Sequence, residues 1–151
     1  MNKEARRSGF VSVIGAPNVG KSTLINYLVG TKVSIVSPKV QTTRTQILGI
    51  CIADNSQIVF IDTPGIFEPK RRLDRAMIAA AWNGTKDADL VLLLIDAKRG
   101  IDRNTRQIIT QLKKNSGRVV LAFNKIDLIN KRDLLSMTSK VQNLKAFEHI
   151  F

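Results

Sequence analysis

Gly15-Ala16-Pro17-Asn18-Val19-Gly20-Lys21-Ser22-Thr23 is the stretch whose reading decides the fold. It follows the apolar run 10–14 and opens an amphipathic segment through Leu24, Ile25 and Leu28, which reads as strand, loop and helix in that order. The spacing of Gly, four residues, Gly, Lys and Ser is that of a phosphate-binding loop. Glycines at both ends let the backbone curl round an anion with no Cβ in the way. Successive N–H groups then point inward, and the following helix adds its positive N-terminal end. Lys21 is placed to reach the β- and γ-phosphates of a nucleotide. Ser22 is placed to put its hydroxyl on the Mg²⁺ that bridges them, since Mg²⁺ prefers hard oxygen ligands. A chance Gly-rich turn before a helix is the competing explanation, and the strand-loop-helix context weighs against it.

The rest of the composition fits one domain. The chain has 151 residues, enough to bury a real core, and its 44% apolar share is ordinary for a globular protein. Its longest wholly apolar run, 90–95, is far short of a membrane span, and the charged segment 1–8 is followed by no signal-type stretch. A cytoplasmic protein with no integral membrane segment is expected. The single cysteine, Cys51, excludes an internal disulfide and reads as a strand filler, and with one histidine, His149, there is no Cys/His cluster for zinc. Lys and Arg total 24 against 12 Asp and Glu, a formal charge of +12. A field of that sign favours polyanions such as nucleotides, RNA or lipid headgroups, although no base-stacking aromatic pattern accompanies it.

Short β-rich runs at 10–14, 47–53, 58–61, 90–95 and 119–123 alternate with helical patterns at 21–29, 73–83, 103–113 and 131–144. Asp54-Asn55-Ser56, between the second and third strands, has room only for a hairpin, so that pair is expected to be antiparallel. The other strands alternate with helices and require right-handed parallel crossovers. The expectation is an α/β fold: a mostly parallel sheet with one antiparallel strand, helices on both faces, and ligands at the carboxyl ends of the strands. The candidate chemical residues fall at those ends. Gly15 follows the first strand, Asp62-Thr63-Pro64-Gly65 the third, Asp96 the fourth and Asn124-Lys125-Ile126-Asp127 the fifth.

Asp62 stands where a carboxylate joins the Mg²⁺ shell, usually through water. Gly65 can bring its backbone N–H close to a γ-phosphate because no side chain blocks the approach. Asp127 decides the base. A carboxylate only accepts, and it can take both the N1–H and the exocyclic amine of guanine, a donor pair that adenine lacks. Asn124 can tie its loop to the phosphate loop or touch the base, and the stem of Lys125 can lie over the base plane. An ATP-dependent enzyme on the same loop is the alternative that Asp127 argues against.

Three stretches carry a family resemblance: 9–23, containing the phosphate loop; 35–50, Ile-Val-Ser-Pro-Lys-Val-Gln-Thr-Thr-Arg-Thr-Gln-Ile-Leu-Gly-Ile; and 62–70, Asp-Thr-Pro-Gly-Ile-Phe-Glu-Pro-Lys. From about Ser8 onward the chain resembles the Era family of bacterial-type GTPases. The resemblance implies a Ras-like P-loop GTPase fold that hydrolyses GTP to GDP and phosphate with Mg²⁺. By the same resemblance its partners are small-subunit ribosomal RNA and the pre-30S particle, in subunit assembly and rRNA processing, with a peripheral inner-membrane association besides. It makes Thr43 the switch threonine of the Mg²⁺ shell, with Thr42 the competing assignment, and gives Lys21, Thr43, Gly65 and Asn18 to the catalytic site. Asn18 matches an asparagine that places K⁺ beside the phosphates in potassium-stimulated relatives. Ile66 stands where Ras has a water-orienting Gln, so slow intrinsic turnover is expected, and a G domain that binds GTP as a switch with negligible turnover is the alternative. The family's last nucleotide motif would fall just after Phe151, and its C-terminal KH domain is absent. His149-Ile150-Phe151 reads as the start of a sixth strand, in an N-terminal G domain cut before its last strand and helix are complete.

Overall fold

The computed structural model describes residues 7–30, 47–63, 65–66, 72–115, 117–144 and 146–151. Five strands, β1 (Arg7–Ile14), β2 (Ile47–Ala53), β3 (Ser56–Asp62), β4 (Leu90–Asp96) and β5 (Val119–Asn124), form one sheet in the order β2-β3-β1-β4-β5. β1 pairs in parallel with β3 and β4, and β4 with β5, while β2 runs antiparallel to β3. The mostly parallel sheet with one antiparallel strand is as expected. One boundary is corrected. Ala53 pairs directly with Ser56, so the hairpin loop is Asp54-Asn55 alone and Ser56 belongs to β3. The tight turn is closed by Asp54 at φ 51, a left-handed conformation that Asp tolerates.

Helices cover both faces because strand residues alternate in direction. On one face Ile14, Val91, Leu93, Ile95, Leu121 and Phe123 pack with Ala81 of α2 (Arg72–Lys86), Ile108, Ile109 and Leu112 of α3 (Arg103–Asn115) and Val141 of α4 (Lys131–Gln142). On the other, Val13 and Phe60 pack with Ile25 of α1 (Lys21–Val29), and half-buried Cys51 joins them as the strand filler its sequence context suggests. Buried Ala16, Val19 and Leu94 continue that face toward the phosphate loop. α2 extends past the expected 73–83 in both directions, and α4 stops short of 144.

His149 to Phe151 lie alongside β5 in parallel, as the sequence suggests for a sixth strand. Leu121 N–H donates to His149 O (3.0 Å), Phe151 N–H to Leu121 O (2.9 Å) and Phe123 N–H to Phe151 O (2.9 Å). The parallel strands β1, β3, β4 and β5 all end on one rim of the sheet, and that rim carries the candidate site.

Candidate functional site

The phosphate loop leaves β1 at Ile14 and enters α1 at Lys21. Its backbone carbonyls are all engaged. Gly15 O accepts from Ile66 N–H (2.9 Å) and from Lys21 Nζ (3.3 Å), and Ala16 O from Lys21 Nζ (3.0 Å). Pro17 O accepts from Arg99 Nη1 (3.2 Å), Asn18 O from Lys125 Nζ (2.9 Å) and Val19 O from Asn124 Nδ2 (2.8 Å). Gly20 O starts the helix by accepting from Leu24 N–H. With the carbonyls held by the protein, the opposite polarity of the loop is left over. Among the described residues none accepts from the backbone N–H groups of Ala16, Asn18, Val19 or Gly20. A row of unsatisfied donors beside a helix N-terminus fits an anion and little else.

Three glycines of the site are required by close approach, the first being Gly15, where a Cβ would lie 2.5 Å from Leu94 O. At Gly65 a Cβ would lie 2.8 Å from Pro17 Cα, so only glycine lets the segment after β3 lie against the phosphate loop. At Gly20, φ is 98 and a Cβ would collide with Asn124 Nδ2. Asn18 (φ 62) and Lys125 (φ 59) are left-handed without being glycine, a strain that clusters at functional sites. Lys21 is buried, Ser22 half-buried and Thr23 exposed on the first turn of α1. Asp62 closes β3 with its backbone paired to Val13 of β1. Thr42, Thr43 and Pro64 lie outside the described residues.

The 124–127 stretch meets the phosphate loop here. Asn124 ties the β5 end to that loop, its Nδ2 donating to Val19 O. Lys125 spans from Asn18 O to Asp96 Oδ2 (2.7 Å). Asp127 sits exposed in a one-turn 3-10 helix, Ile126–Leu128, and among the described residues none holds its carboxylate, which leaves both oxygens open to a ligand.

Four residues near this rim carry no role in the sequence reading. Thr63 is buried and donates its hydroxyl to Val13 O (2.7 Å), anchoring the start of the segment after β3. Asn104 donates to Ile66 O (2.8 Å), so Ile66 is held from both sides and is only 5% exposed within the core. Arg99 reaches back to Pro17 from the loop after β4. Asp96 is buried; burial alone raises its pKa, but the Lys125 hydrogen bond and the Arg99 and Lys98 backbone N–H groups outweigh it and hold the carboxyl below its usual value. Only the position of Asp96 at a strand end is visible in the sequence.

Residues 10–125 match the family described as 50S ribosome-binding GTPase. The chain belongs to this family. It is 58% identical over 145 residues to the GTPase Era of Sinorhizobium medicae, an alignment covering 96% of the chain and 47% of that protein. A crystal structure of Era with MgGDPNP and a segment of 16S ribosomal RNA superposes with a TM-score of 0.84 at 39% identity, covering 97% of this chain and 50% of that one. An Aquifex aeolicus Era variant bound to GDP and AlF4⁻ gives 0.81 at 39% identity, covering 95% and 50%. The chain therefore spans about half the length of the relatives it matches. The Ras-like P-loop GTPase fold implied by the resemblance is the fold observed.

Proposed function

We propose that this chain is the GTP-binding and GTP-hydrolysing domain of an Era-like factor that acts on small-subunit ribosomal RNA during 30S assembly and rRNA processing. The observation that carries the reading is the junction of two motifs: Asn124 and Lys125 bond to Val19 O and Asn18 O, which sets the base-reading Asp127 beside an anion-binding loop. A phosphate site and an acceptor-only base reader in one continuous network fit a guanine nucleotide.

In this reading the free N–H groups of Ala16, Asn18, Val19 and Gly20 and the ammonium of Lys21 receive the phosphates, while Asp127 takes the guanine donors. Gly65, pressed on Pro17, brings a backbone N–H toward the terminal phosphate. Ser22, Asp62 and Thr43 would hold Mg²⁺, which would supply neutralisation of the charge developing on the phosphate oxygens.

Hydrolysis is proposed to be slow and K⁺-stimulated. Ile66 offers no polar group to orient water and is fixed in the core. Asn18, exposed and left-handed, is the residue assigned to K⁺. Phosphate release from GTP, followed in K⁺ and in Na⁺, should be faster in K⁺, with the difference gone in Asn18→Ala. Equal rates in the two salts reject the K⁺ assignment. Ile66 favours a second reading, a GTP-dependent switch without turnover, and the absence of phosphate release in either salt supports that one. The family's RNA and pre-30S partners, the cytoplasmic location and a peripheral contact with anionic headgroups are proposed with the activity, and the +12 charge supports an anionic partner.

A further inference from the structure

The buried carboxylate at the end of β4 belongs to no nucleotide motif, yet it bonds the Lys125 ammonium and the backbone N–H of Arg99, the two residues whose side chains hold the middle of the phosphate loop. Asp96 Oδ2 accepts from Lys125 Nζ at 2.7 Å. Asp96 Oδ1 accepts from the backbone N–H groups of Lys98 (2.9 Å) and Arg99 (3.3 Å), folding the loop after β4 back toward the rim. From that fold Arg99 Nη1 reaches Pro17 O, and from the other oxygen Lys125 Nζ reaches Asn18 O. Two consecutive carbonyls are thus held by two cations placed by one carboxylate. We propose that Asp96 is a positioning residue for nucleotide binding, setting the phosphate-loop backbone through Lys125 and Arg99 without touching the ligand itself. The inference rests on the reading of the rim as a guanine-nucleotide site.

The physical argument is one of preorganisation. A peptide unit whose carbonyl is pinned outward has its neighbouring N–H fixed inward, so the donors need no reorientation when an anion arrives. The Asp96 side chain is 7% exposed and that of Lys125 35%, so their ion pair is screened less than a surface pair. Arg99 is 50% exposed and its second anchor, Asp102, lies 3.9 Å away, so its hold on Pro17 depends on the loop shape that Asp96 imposes. The depressed pKa of Asp96 agrees with a carboxylate that is fully charged in this network.

The test compares the release of a fluorescent GDP from the parent chain and from Asp96→Asn, Lys125→Met, Arg99→Met and the Asp96→Asn/Lys125→Met double variant. Asp96→Asn keeps the size of the side chain but not its charge, and it should release GDP about tenfold faster, as expected for losing one charge-assisted hydrogen bond. The double variant should release no more than about twofold faster than Lys125→Met, because both changes break one linkage. A merely structural role predicts the opposite pattern, with a lowered melting temperature of the nucleotide-free protein and effects that multiply. Parent-like release from Asp96→Asn, or multiplying effects, overturns the proposal. If Asp96→Asn does not fold, Arg99→Met on its exposed side chain decides: a few-fold faster release is expected, and an unchanged rate overturns it. A parent that retains GDP no better than ADP ends the nucleotide reading and this inference together, whereas a GDP-retaining parent with an unaffected Asp96→Asn ends this one alone.

Discussion

Asp127 stands exposed with both carboxylate oxygens open, and in the proposed function the choice of base falls on it. Asp127→Asn exchanges a two-point acceptor for a mixed donor and acceptor, leaving a base donor unpaired at a cost of about 1 to 3 kcal/mol. GDP affinity should fall by that amount while xanthosine diphosphate gains; a titration in which GDP binds unchanged and xanthine gains nothing contradicts the role. Lys21 and Asp62 should separate in the same assay. Lys21→Ala removes a charge from the phosphates and weakens GDP and GTP alike, whereas Asp62→Ala, acting through Mg²⁺, weakens GTP more; matched losses in both variants remove the distinction. These residues could be proposed from sequence because their motifs are local and the chemistry they suggest follows from residue type. The contacts of Thr63, Asp96, Arg99 and Asn104 could not be read there, although Thr63 and Asp96 were visible at strand ends, since their partners lie 50, 29, 82 and 38 residues away and only the folded sheet brings them together.

At the scale of elements, Ile66 is fastened in place four residues after the end of β3. Ile66 fills the core between the sheet and α2 and α3, its N–H on Gly15 O and its carbonyl on Asn104. Restoring the Ras residue should therefore fail. Ile66→Gln buries an amide at a cost of about 1 to 3 kcal/mol without delivering it to the site, so the denaturation midpoint should drop while phosphate release does not rise. A faster enzyme of unchanged stability contradicts this placement. Asp102 begins α3 by accepting from Thr105 N–H at 2.7 Å. Burial raises its pKa, but the backbone and side-chain hydrogen bonds of Thr105 and the charge of Arg99 more than compensate and lower it from 3.8. A depressed carboxylate stabilises the fold above its unfolded pKa and loses that contribution as pH falls through the folded value. Asp102→Asn keeps the cap but not the charge, so its stability deficit at pH 7 should shrink below pH 3.8, as urea melts across that range will show. A constant deficit contradicts the assignment. All five strands and four helices were legible from periodicity, with errors at the start of β1, which begins at Arg7 rather than Phe10, at the hairpin loop and at helix ends, where hydrogen-bond closure rather than hydrophobic pattern sets the boundary.

For the whole molecule, the charge of +12 predicts affinity for polyanions that salt removes. An interface with about four phosphates of a single-stranded RNA should lose about fiftyfold in affinity between 50 and 200 mM salt. Affinity that does not change with salt assigns the charge to solubility alone. The central claim, however, concerns the rim where Lys125 and Asn124 meet the phosphate loop and the base-reading role proposed for Asp127. Calorimetric titration of the chain with GDP and with ADP, in Mg²⁺ at one salt concentration, tests it most directly. The account predicts saturable GDP binding and at least about a hundredfold weaker ADP binding, since adenine leaves the Asp127 carboxylate without its donor pair. Equal affinities for the two nucleotides, or no binding of either, contradict it.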